Sequence, residues 1–213
     1  MLSLSSILII LGSLAWPIIL LFPWKPWSTR ERLENHDVAS DPDLSDVTVL
    51  IPARDEAASI ARTLAGLERQ GKNLAVILID DQSTDGTADL AQKSFGGYLR
   101  ILQGKELPSP WVGKLWALEQ GRQLASTELI LLLDADIELV PGTIGALQAK
   151  LKSEDLDLVS LMAELRMETL WEKILSPAFI FFFKLLQNKF MAHFSHIFQS
   201  FWATVSKQTP STV

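Results

Sequence analysis

Two aspartates spaced two residues apart are the side chains best suited to chemistry in this sequence. Asp134 and Asp136 follow an apolar run, Leu129 to Leu133, that has the pattern of a buried strand. At the end of a strand, two carboxylates can bind an octahedral Mg²⁺ or Mn²⁺ that keeps waters and takes its remaining ligands from a diphosphate. The pair therefore predicts a divalent metal site at which charge building on a leaving diphosphate would be stabilised.

Two further positions predict contacts to the same kind of ligand. Asp80 and Asp81 come one step past the apolar run 74–79, and carboxylates accept the hydrogen bonds that a base or ribose donates. An N-cap and turn is the alternative interpretation, and both can hold at once. Lys114 is predicted at the start of a helix, where its ammonium and the free amides of the helix can meet a diphosphate. A solvated lysine is the alternative there.

The segment after the first apolar run, Val47 to Ile51, supplies Pro52, Arg54 and Glu56. In an open parallel sheet, ligands bind beyond the carboxyl ends of the strands. Carboxylates from three strands would therefore converge at one edge, and clustered like charges persist where a cation or a ligand's donors neutralise them. We expect one site lined by residues from all three segments, with a divalent ion bridging the carboxylates. Its predicted members are Pro52, Arg54, Glu56, Asp80, Asp81, Lys114 and Asp134, with Asp134 and Asp136 on the metal.

The elements that must position these residues alternate along the chain. Short apolar runs predict strands at 47–51, 74–79, 98–102, 129–133 and 156–161. Segments with apolar residues at helical spacing follow the first four runs, with Asp55 near the start of the first helix, where its carboxylate can cap free amides. Pro52 is expected to end the first strand. This alternation predicts an α/β domain over 47–169, with a mostly parallel sheet and helices on both faces.

The amino terminus predicts a membrane anchor. Residues 2–24 carry no charge, a length that suits a transmembrane helix, and Lys25, Arg30 and Arg32 follow it. The excess of positive charge after the span predicts a membrane protein with one amino-terminal span, 1–24, and a cytosolic catalytic domain. Residues 25–46 are expected to be a linker.

Composition excludes some classes of function. Nineteen basic and twenty-five acidic residues give a net charge of -6, so no basic surface is available for nucleic acid. Because the chain has no cysteine, disulfides, thiolate zinc sites and cysteine nucleophiles are excluded.

Three blocks carry a resemblance to a known family. They are Val-Thr-Val-Leu-Ile-Pro-Ala-Arg-Asp-Glu (47–56), Ile-Asp-Asp-Gln-Ser-Thr-Asp-Gly-Thr (79–87) and Leu-Leu-Asp-Ala-Asp (132–136). In this order they resemble family 2 glycosyltransferases of the GT-A fold. The stretch 107–121, Leu-Pro-Ser-Pro-Trp-Val-Gly-Lys-Leu-Trp-Ala-Leu-Glu-Gln-Gly, is similar to the hopene-associated branch.

The resemblance implies transfer of a sugar from a nucleotide-diphosphate sugar, such as a UDP-sugar, to a membrane-associated acceptor, hopanoid or another lipid. It implies Asp80 or Asp81 at the base, Asp134 and Asp136 at the ribose and metal, and Lys114 near the donor. No general base can be named, because Glu154 and Asp155 precede the fifth predicted strand.

The resemblance covers about residues 1–186. Residues 170–186 suggest a helix at the membrane interface. After Gln187 the composition changes, so we expect an irregular tail over 187–213 and a chain truncated or frameshifted at that point. The alternative function is a catalytically inactive membrane protein that binds nucleotide or serves only as an interaction or structural module.

Overall fold

The computed structural model of the protein describes residues 41–162, 169–171 and 202–207, with a few single positions nearer the amino terminus. The chain divides into two compact units. One comprises Met1–Arg32 and Leu165–Phe198, and the other comprises Leu33–Glu164 and Gln199–Val213. The second unit contains every strand and helix discussed below.

Strands and helices alternate along this unit. The strands are β1 (Val47–Ala53), β2 (Ala75–Asp80), β3 (Tyr98–Gln103), β4 (Leu129–Leu132), β5 (Leu158–Met162) and β6 (Trp202–Lys207). The helices are α1 (Ile60–Glu68), α2 (Thr87–Ser94), α3 (Gly113–Arg122) and α4 (Thr143–Ser153). The elements that the apolar pattern predicts between β1 and β5 are all present, with ends that differ by a few residues.

The strands form one sheet in the order β3-β2-β1-β4-β6-β5. β1 pairs in parallel with β2 and with β4, and β2 pairs in parallel with β3. β6 is antiparallel to both of its neighbours, β4 and β5. The predicted α/β fold with a mostly parallel sheet is therefore confirmed.

Helices pack on both faces of this sheet because the buried strands carry apolar side chains on both sides. On one face, Val49 and Ile51 lie in the core that includes Leu64 of α1 and Leu147 of α4. On the other face, Leu50 lies in a smaller cluster. The members of that smaller cluster are Leu50, Ile77, Ile79, Ala117, Leu118 and Ile130, with α3 supplying Ala117 and Leu118.

Within the predicted irregular tail 187–213, strand β6 corrects the prediction over residues 202–207, and the rest lies outside the described residues. Residues Trp202–Lys207 pair along their length with β4 and β5, and Val205 is fully buried. A short segment that mixes polar and apolar residues has no local pattern typical of a strand. Pairing with strands that are distant in sequence determines its conformation, and such pairing leaves little trace in the local sequence.

The end of the predicted linker 25–46 also packs against this unit. Leu44 is fully buried, and its N–H donates to the carbonyl of Lys72 at 2.9 Å. Residues 41–46 therefore lead directly into β1. Apart from Leu33, which packs against the core, the rest of the predicted linker lies outside the described residues.

The prediction of membrane localisation is contradicted. Within the described positions, no helix has both the length and the apolar character needed to cross a membrane. The prediction of one amino-terminal span and a cytosolic domain relied on the absence of charge in 2–24, which is a property of composition. Most of 2–24 lies outside the described residues, as does the predicted interfacial helix 170–186 beyond Trp171.

Candidate functional site

The carboxyl ends of β1, β2 and β4 lie side by side at one edge of the sheet, which we call the carboxyl rim. Ala53 of β1 is level with Asp80 of β2, and Asp80 is level with Gln103 of β3. β4 lies on the other side of β1 and ends just before Asp134. The segments that carry the predicted site residues after these strands therefore leave the sheet at the same edge.

Asp80 is 4% exposed, and both of its carboxylate oxygens accept hydrogen bonds within the chain. Oδ1 accepts from the N–H of Ser83 at 3.1 Å, and Oδ2 accepts from Nε2 of Gln103 at 3.2 Å. This carboxylate stabilises the turn after β2 and joins it to the end of β3. The turn interpretation accounts for these contacts, and Asp80 keeps little surface for a ligand.

Asp81 is more open than Asp80. Its side chain is 28% exposed, and Oδ2 lies 3.7 Å from Nη1 of Arg54, which is itself mostly exposed. A Cβ atom at Gly104 would lie 3.3 Å from Oδ1 of Asp81, and one at Gly113 would lie 3.9 Å from Oδ2. The two glycines therefore leave space beside an accessible carboxylate and an accessible guanidinium.

The segment after β1 and the segment after β2 are joined by hydrogen bonds, and we call residues 54–57 and 83–87 together the interlocked loops. The bonds run from Asp55 N–H to Ser83 Oγ (3.0 Å), from Thr84 N–H to Asp55 Oδ1 (2.8 Å), from Glu56 N–H to Thr87 Oγ1 (2.8 Å) and from Ala57 N–H to Asp85 Oδ2 (2.9 Å). These bonds fix the backbone that carries Arg54 and Glu56 against the backbone that follows Asp81.

The predicted capping role of Asp55 is not formed, whereas Asp85 contacts the first residue of a helix. Asp55 has a φ of 54° and accepts from Thr84, whereas α1 begins only at Ile60, so Asp55 does not cap it. Asp85 accepts from the N–H of Thr87, the first residue of α2, at 3.0 Å. Its pKa is held below the usual range, first by the Thr87 hydroxyl and then by the N–H of Ala57.

Pro52 and Glu56 complete the segment after β1. Pro52 lies inside β1, level with Ile79, so the strand continues past it to Ala53 and the prediction that Pro52 ends the strand is wrong. The missing N–H of proline costs one possible hydrogen bond and leaves the strand intact. Glu56 accepts a hydrogen bond from the Ser59 hydroxyl through Oε2 at 2.6 Å.

Asp134 forms an ion pair with Lys114 at the carboxyl rim. Nζ of Lys114 lies 2.6 Å from Oδ1 of Asp134, and their side chains are 36% and 14% exposed. Lys114 is the second residue of α3, as the sequence predicts, so its ammonium lies near the free amides of that helix. This pair joins the segment after β4 to the helix that follows β3.

The pKa of Asp134 is raised above its usual range. Burial is the main cause, and the charges of Asp136 and Glu56 add to it, while the bond and charge of Lys114 oppose it. Asp136 is exposed beside this pair. These carboxylates are therefore close enough to repel one another, but the attraction of Lys114 outweighs that repulsion, so burial is what keeps the pKa of Asp134 raised.

The carboxylates at the carboxyl rim supply two ligands for a divalent cation. Among the described residues, no three carboxylate or imidazole groups are arranged to hold a metal ion, so the predicted ion bridging carboxylates of three segments lacks its ligand set. Mg²⁺ commonly uses one or two carboxylates and completes its shell with waters and phosphate oxygens. Asp134 and Asp136 fit that second arrangement, with Asp136 exposed and Asp134 adjacent to it.

A cavity of about 610 Å³ lies elsewhere in the unit and not at the carboxyl rim. It is lined by residues before β2 and at the start of β3, among them Leu74, Phe95 and Tyr98. None of the predicted site residues lines it. The acidic and basic side chains suited to chemistry lie at the other ends of those strands.

Glu154 and Asp155 lie between α4 and β5, at the end of β5 away from the carboxyl rim. Asp155 and Asp157 lie near Lys207 of β6, each 3.8 Å from its ammonium. This placement agrees with the expectation that the Glu-Asp pair is not the general base.

Several residues that shape the rim are not predicted from the sequence. Gln103 donates a hydrogen bond to Asp80, Thr87 accepts one from the N–H of Glu56, and Thr63 of α1 donates one to the carbonyl of Ala135. The strand-end rule applied to β3 would have found Gln103. Thr63 and Thr87 act on backbone groups through contacts distant in sequence, and no spacing pattern predicts those.

The fold and its rim of carboxylates define a Rossmann-like α/β protein with a candidate ligand site beyond the strand ends. Residues 48–207 match the family described as glycosyl transferase family 2. The chain therefore belongs to glycosyl transferase family 2, a family of transferase enzymes, and its fold is of the GT-A type.

Relatives of known name share part of the chain. A 4,4'-diaponeurosporenoate glycosyltransferase from Staphylococcus haemolyticus is 30% identical over 93 residues, which cover 44% of this chain and 24% of that protein. An undecaprenyl-phosphate 4-deoxy-4-formamido-L-arabinose transferase from Salmonella paratyphi A is 33% identical over 138 residues, covering 61% of this chain and 40% of that protein. The chain thus spans less than half the length of these curated relatives.

A crystal structure of a mycobacterial protein has the same fold. It superposes with a TM-score of 0.50 at 18% identity, covering 76% of this chain and 52% of that one. At this identity the likeness concerns the fold alone.

Proposed function

We propose that this chain is a glycosyltransferase that moves a sugar from a nucleotide-diphosphate sugar, such as a UDP-sugar, to a lipid acceptor. One observation carries the proposal. The Lys114–Asp134 pair, 2.6 Å apart, lies beside the exposed Asp136 at the carboxyl rim, so a cation and two acids meet where ligands of parallel sheets bind. Family membership makes a sugar donor the ligand of first choice.

Names of relatives support a lipid acceptor. One relative is named for transfer to undecaprenyl phosphate, and another for transfer to diaponeurosporenoate. The stretch 107–121 further supports the hopene-associated branch and a hopanoid acceptor. Because the chain spans only part of those proteins, the acceptor is part of the proposal.

The residues of the rim take separate roles in this proposal. Arg54 and Asp81, with the space left by Gly104 and Gly113, contact the nucleoside, and Asp80 holds that turn in place. Pro52 and Glu56 line the same site from β1 and the segment after it. Lys114 contacts the diphosphate, for which its position at the start of a helix is suited.

Asp134 and Asp136 would hold Mg²⁺ or Mn²⁺. When bound, the ion supplies positive charge that stabilises the diphosphate leaving group. Asp134 is partly buried next to Lys114, so its orientation is restricted, whereas Asp136 is accessible. The chain's own contribution is to fix one carboxylate and expose the other.

A test separates binding from transfer. Asp136→Asn keeps the size of the side chain and removes its charge, so we expect the Mn²⁺-dependent part of UDP binding to be lost. Isothermal titration with UDP in Mn²⁺ and in chelator measures that part. Asp157→Asn, at the opposite edge of the sheet and almost fully exposed, is the matched control and keeps wild-type binding. Equal Mn²⁺-dependent affinity of Asp136→Asn and wild type would reject the metal role.

A second candidate function is nucleotide binding without transfer. The observation that favours it is the placement of Glu154 and Asp155 away from the carboxyl rim, which leaves the general base unassigned among the described residues. A radiolabelled sugar-transfer assay with an extracted lipid fraction decides between the two functions. Incorporation of label supports the transferase, and UDP binding without incorporation supports the second candidate.

A further inference from the structure

Helix α1 lies against the segment that carries the predicted metal ligands. We call this segment, residues 134–140, the acid loop. Three buried positions of α1 and the turn after it contact the loop along its length: Thr63 near its start, then Gly66 and Gln70 near its end. These residues share one side of the helix because they are spaced three and four apart.

Thr63 contacts the peptide between the two predicted ligands. Its side chain is fully buried, and Oγ1 donates to the carbonyl oxygen of Ala135 at 2.8 Å. Ala135 is itself 4% exposed and packs into the core. The peptide between Asp134 and Asp136 is therefore fixed by a buried hydrogen bond on its carbonyl and by the packing of its methyl group.

Gly66 allows the acid loop to approach the helix closely. A Cβ atom at this position would lie 3.1 Å from the backbone nitrogen of Leu139 and 3.3 Å from its carbonyl oxygen. Both atoms belong to the backbone, so a larger residue at 66 requires the loop to shift. The fit between helix and loop thus depends on the absence of a side chain at this point.

Gln70, which follows α1, holds the far end of the loop. It is 1% exposed, and Nε2 donates to the carbonyl of Val140 at 2.9 Å and to that of Gly66 at 3.0 Å. Oε1 accepts from the N–H of Ile144, in the first turn of α4, at 3.2 Å. One side chain therefore joins the acid loop, α1 and α4.

The ion pairs between the acid loop and α1 are more exposed than these buried hydrogen bonds. Glu138 of the loop lies 2.8 Å from Arg69 and 4.0 Å from Arg62, but the side chains of both arginines are about half exposed. Exposed ion pairs are weak and screened by salt. The buried hydroxyl and amide are therefore better placed to define the geometry of the loop.

We propose that Thr63 is a positioning residue for the metal ligands Asp134 and Asp136. Its hydroxyl fixes the peptide between them and so sets the directions in which the two carboxylates leave the backbone. Gly66 and Gln70 keep the loop at the distance that this bond requires. This inference rests on the proposed function, since it concerns the same site.

The test is the substitution Thr63→Val, which keeps the shape of the side chain and removes the donor. We expect UDP to bind about tenfold more weakly in Mn²⁺, the lower end of the effects seen when a partner of a metal ligand is removed. UDP affinity in chelator is expected to stay unchanged, because the proposed nucleoside contacts, Arg54 and Asp81, lie outside the acid loop that Thr63 supports. Thr63→Ser restores the donor and is expected to recover the Mn²⁺-dependent affinity.

Thr48→Val is the matched control. Thr48 is also a buried threonine, and its hydroxyl is hydrogen bonded to that of Thr127 at 2.8 Å, near the start of β1 and away from the carboxyl rim. The substitution Thr48→Val removes a buried hydroxyl of the same type at a position away from the acid loop. A general loss of stability would weaken binding in both valine variants, whereas positioning affects Thr63→Val alone.

Gly66→Ala decides the question should Thr63→Val fail to fold. Alanine favours the helix, and its methyl group pushes on the backbone of Leu139, so the same selective loss of Mn²⁺-dependent affinity is expected. Wild-type UDP binding that does not respond to Mn²⁺ would overturn the proposed metal site together with this inference. If wild-type binding responds to Mn²⁺ and folded Thr63→Val binds UDP in Mn²⁺ with equal affinity, the inference alone is overturned. Gly66→Ala takes the place of Thr63→Val in this comparison if the valine variant does not fold.

Discussion

The interlocked loops after β1 and β2 and the acid loop after β4 emerge at the same rim but are supported differently. The interlocked loops are held to each other by side-chain oxygens that accept hydrogen bonds from backbone N–H groups, three of them exposed and that of Thr87 partly buried. The acid loop is held to a helix beneath it, by the buried side chains of Thr63 and Gln70. One region is supported laterally, and the other is supported from the core.

This difference changes which of the clustered carboxylates at the rim indicate a bound ligand. Like charges were expected to persist together only where a cation or ligand neutralises them, yet Asp55, Asp80 and Asp85 each accept hydrogen bonds from the chain itself. Their presence does not require a ligand. In contrast, Asp136 is exposed, and its charge adds to the burial that raises the pKa of Asp134, so a cation there would offset both the burial and the repulsion.

Breaking the support of the acid loop has the largest expected effect. Gln70→Leu leaves the carbonyl of Gly66 and the N–H of Ile144 without their buried partner, while the carbonyl of Val140 keeps the hydroxyl of Thr143. Unsatisfied buried groups are costly, so we expect the free energy of unfolding to fall by about 3 kcal/mol. Urea unfolding followed by circular dichroism measures it. Gln123→Leu, at the exposed glutamine that follows α3, is the control and should change stability by less than about 0.5 kcal/mol.

Breaking the interlocked loops is expected to cost less. Thr87 is fully buried, and its Oγ1 accepts from Glu56 N–H and donates to Asp85. Thr87→Val leaves one partly buried N–H unsatisfied, so the free energy of unfolding should fall by about 1.5 kcal/mol. The same urea experiment measures it. A loss as large as that of Gln70→Leu would show that the two regions are equally supported from the core.

The smallest expected effect concerns pH. The pKa of Asp85 is lowered by the Thr87 hydroxyl and the Ala57 N–H, so the folded state favours the ionised carboxylate. The stability that this contributes is present above the unfolded pKa, about 3.9, and is lost as pH falls through the lower folded pKa. Asp85→Asn removes this dependence. Urea midpoints of wild type and variant should differ most near pH 6 and begin to converge below about pH 4, and a constant difference would contradict this role.

Much of the fold could be predicted because its pattern is local. The buried runs at 47–51, 74–79 and 129–133 are continuous apolar segments, and they correspond to β1, β2 and β4. The rule that ligands bind beyond strand ends placed the predicted site residues on one rim. Lys114 is predicted at a helix start for the same kind of reason, and it is the second residue of α3.

The rest depended on contacts between distant residues. Asp55 and Asp80 were assigned from their residue type, but their role is set by Thr84, Ser83 and Gln103. Strand β6 has no local pattern typical of a strand and is determined by β4 and β5. Uncharged composition over 2–24 could not establish a membrane-spanning helix. In each case the deciding interaction lies outside the window that a pattern covers.

The position of β6 also affects the order in which the strands can pair during synthesis. β5 has β6 as its neighbour in the sheet, and β6 separates it from β4. While a ribosome is still adding the residues between 162 and 202, the half containing β1 to β4 can already associate, but β5 has no strand to pair with. Assembly of the sheet must therefore wait for residues 202–207 to emerge, and until then the edge of β4 is open to incorrect partners.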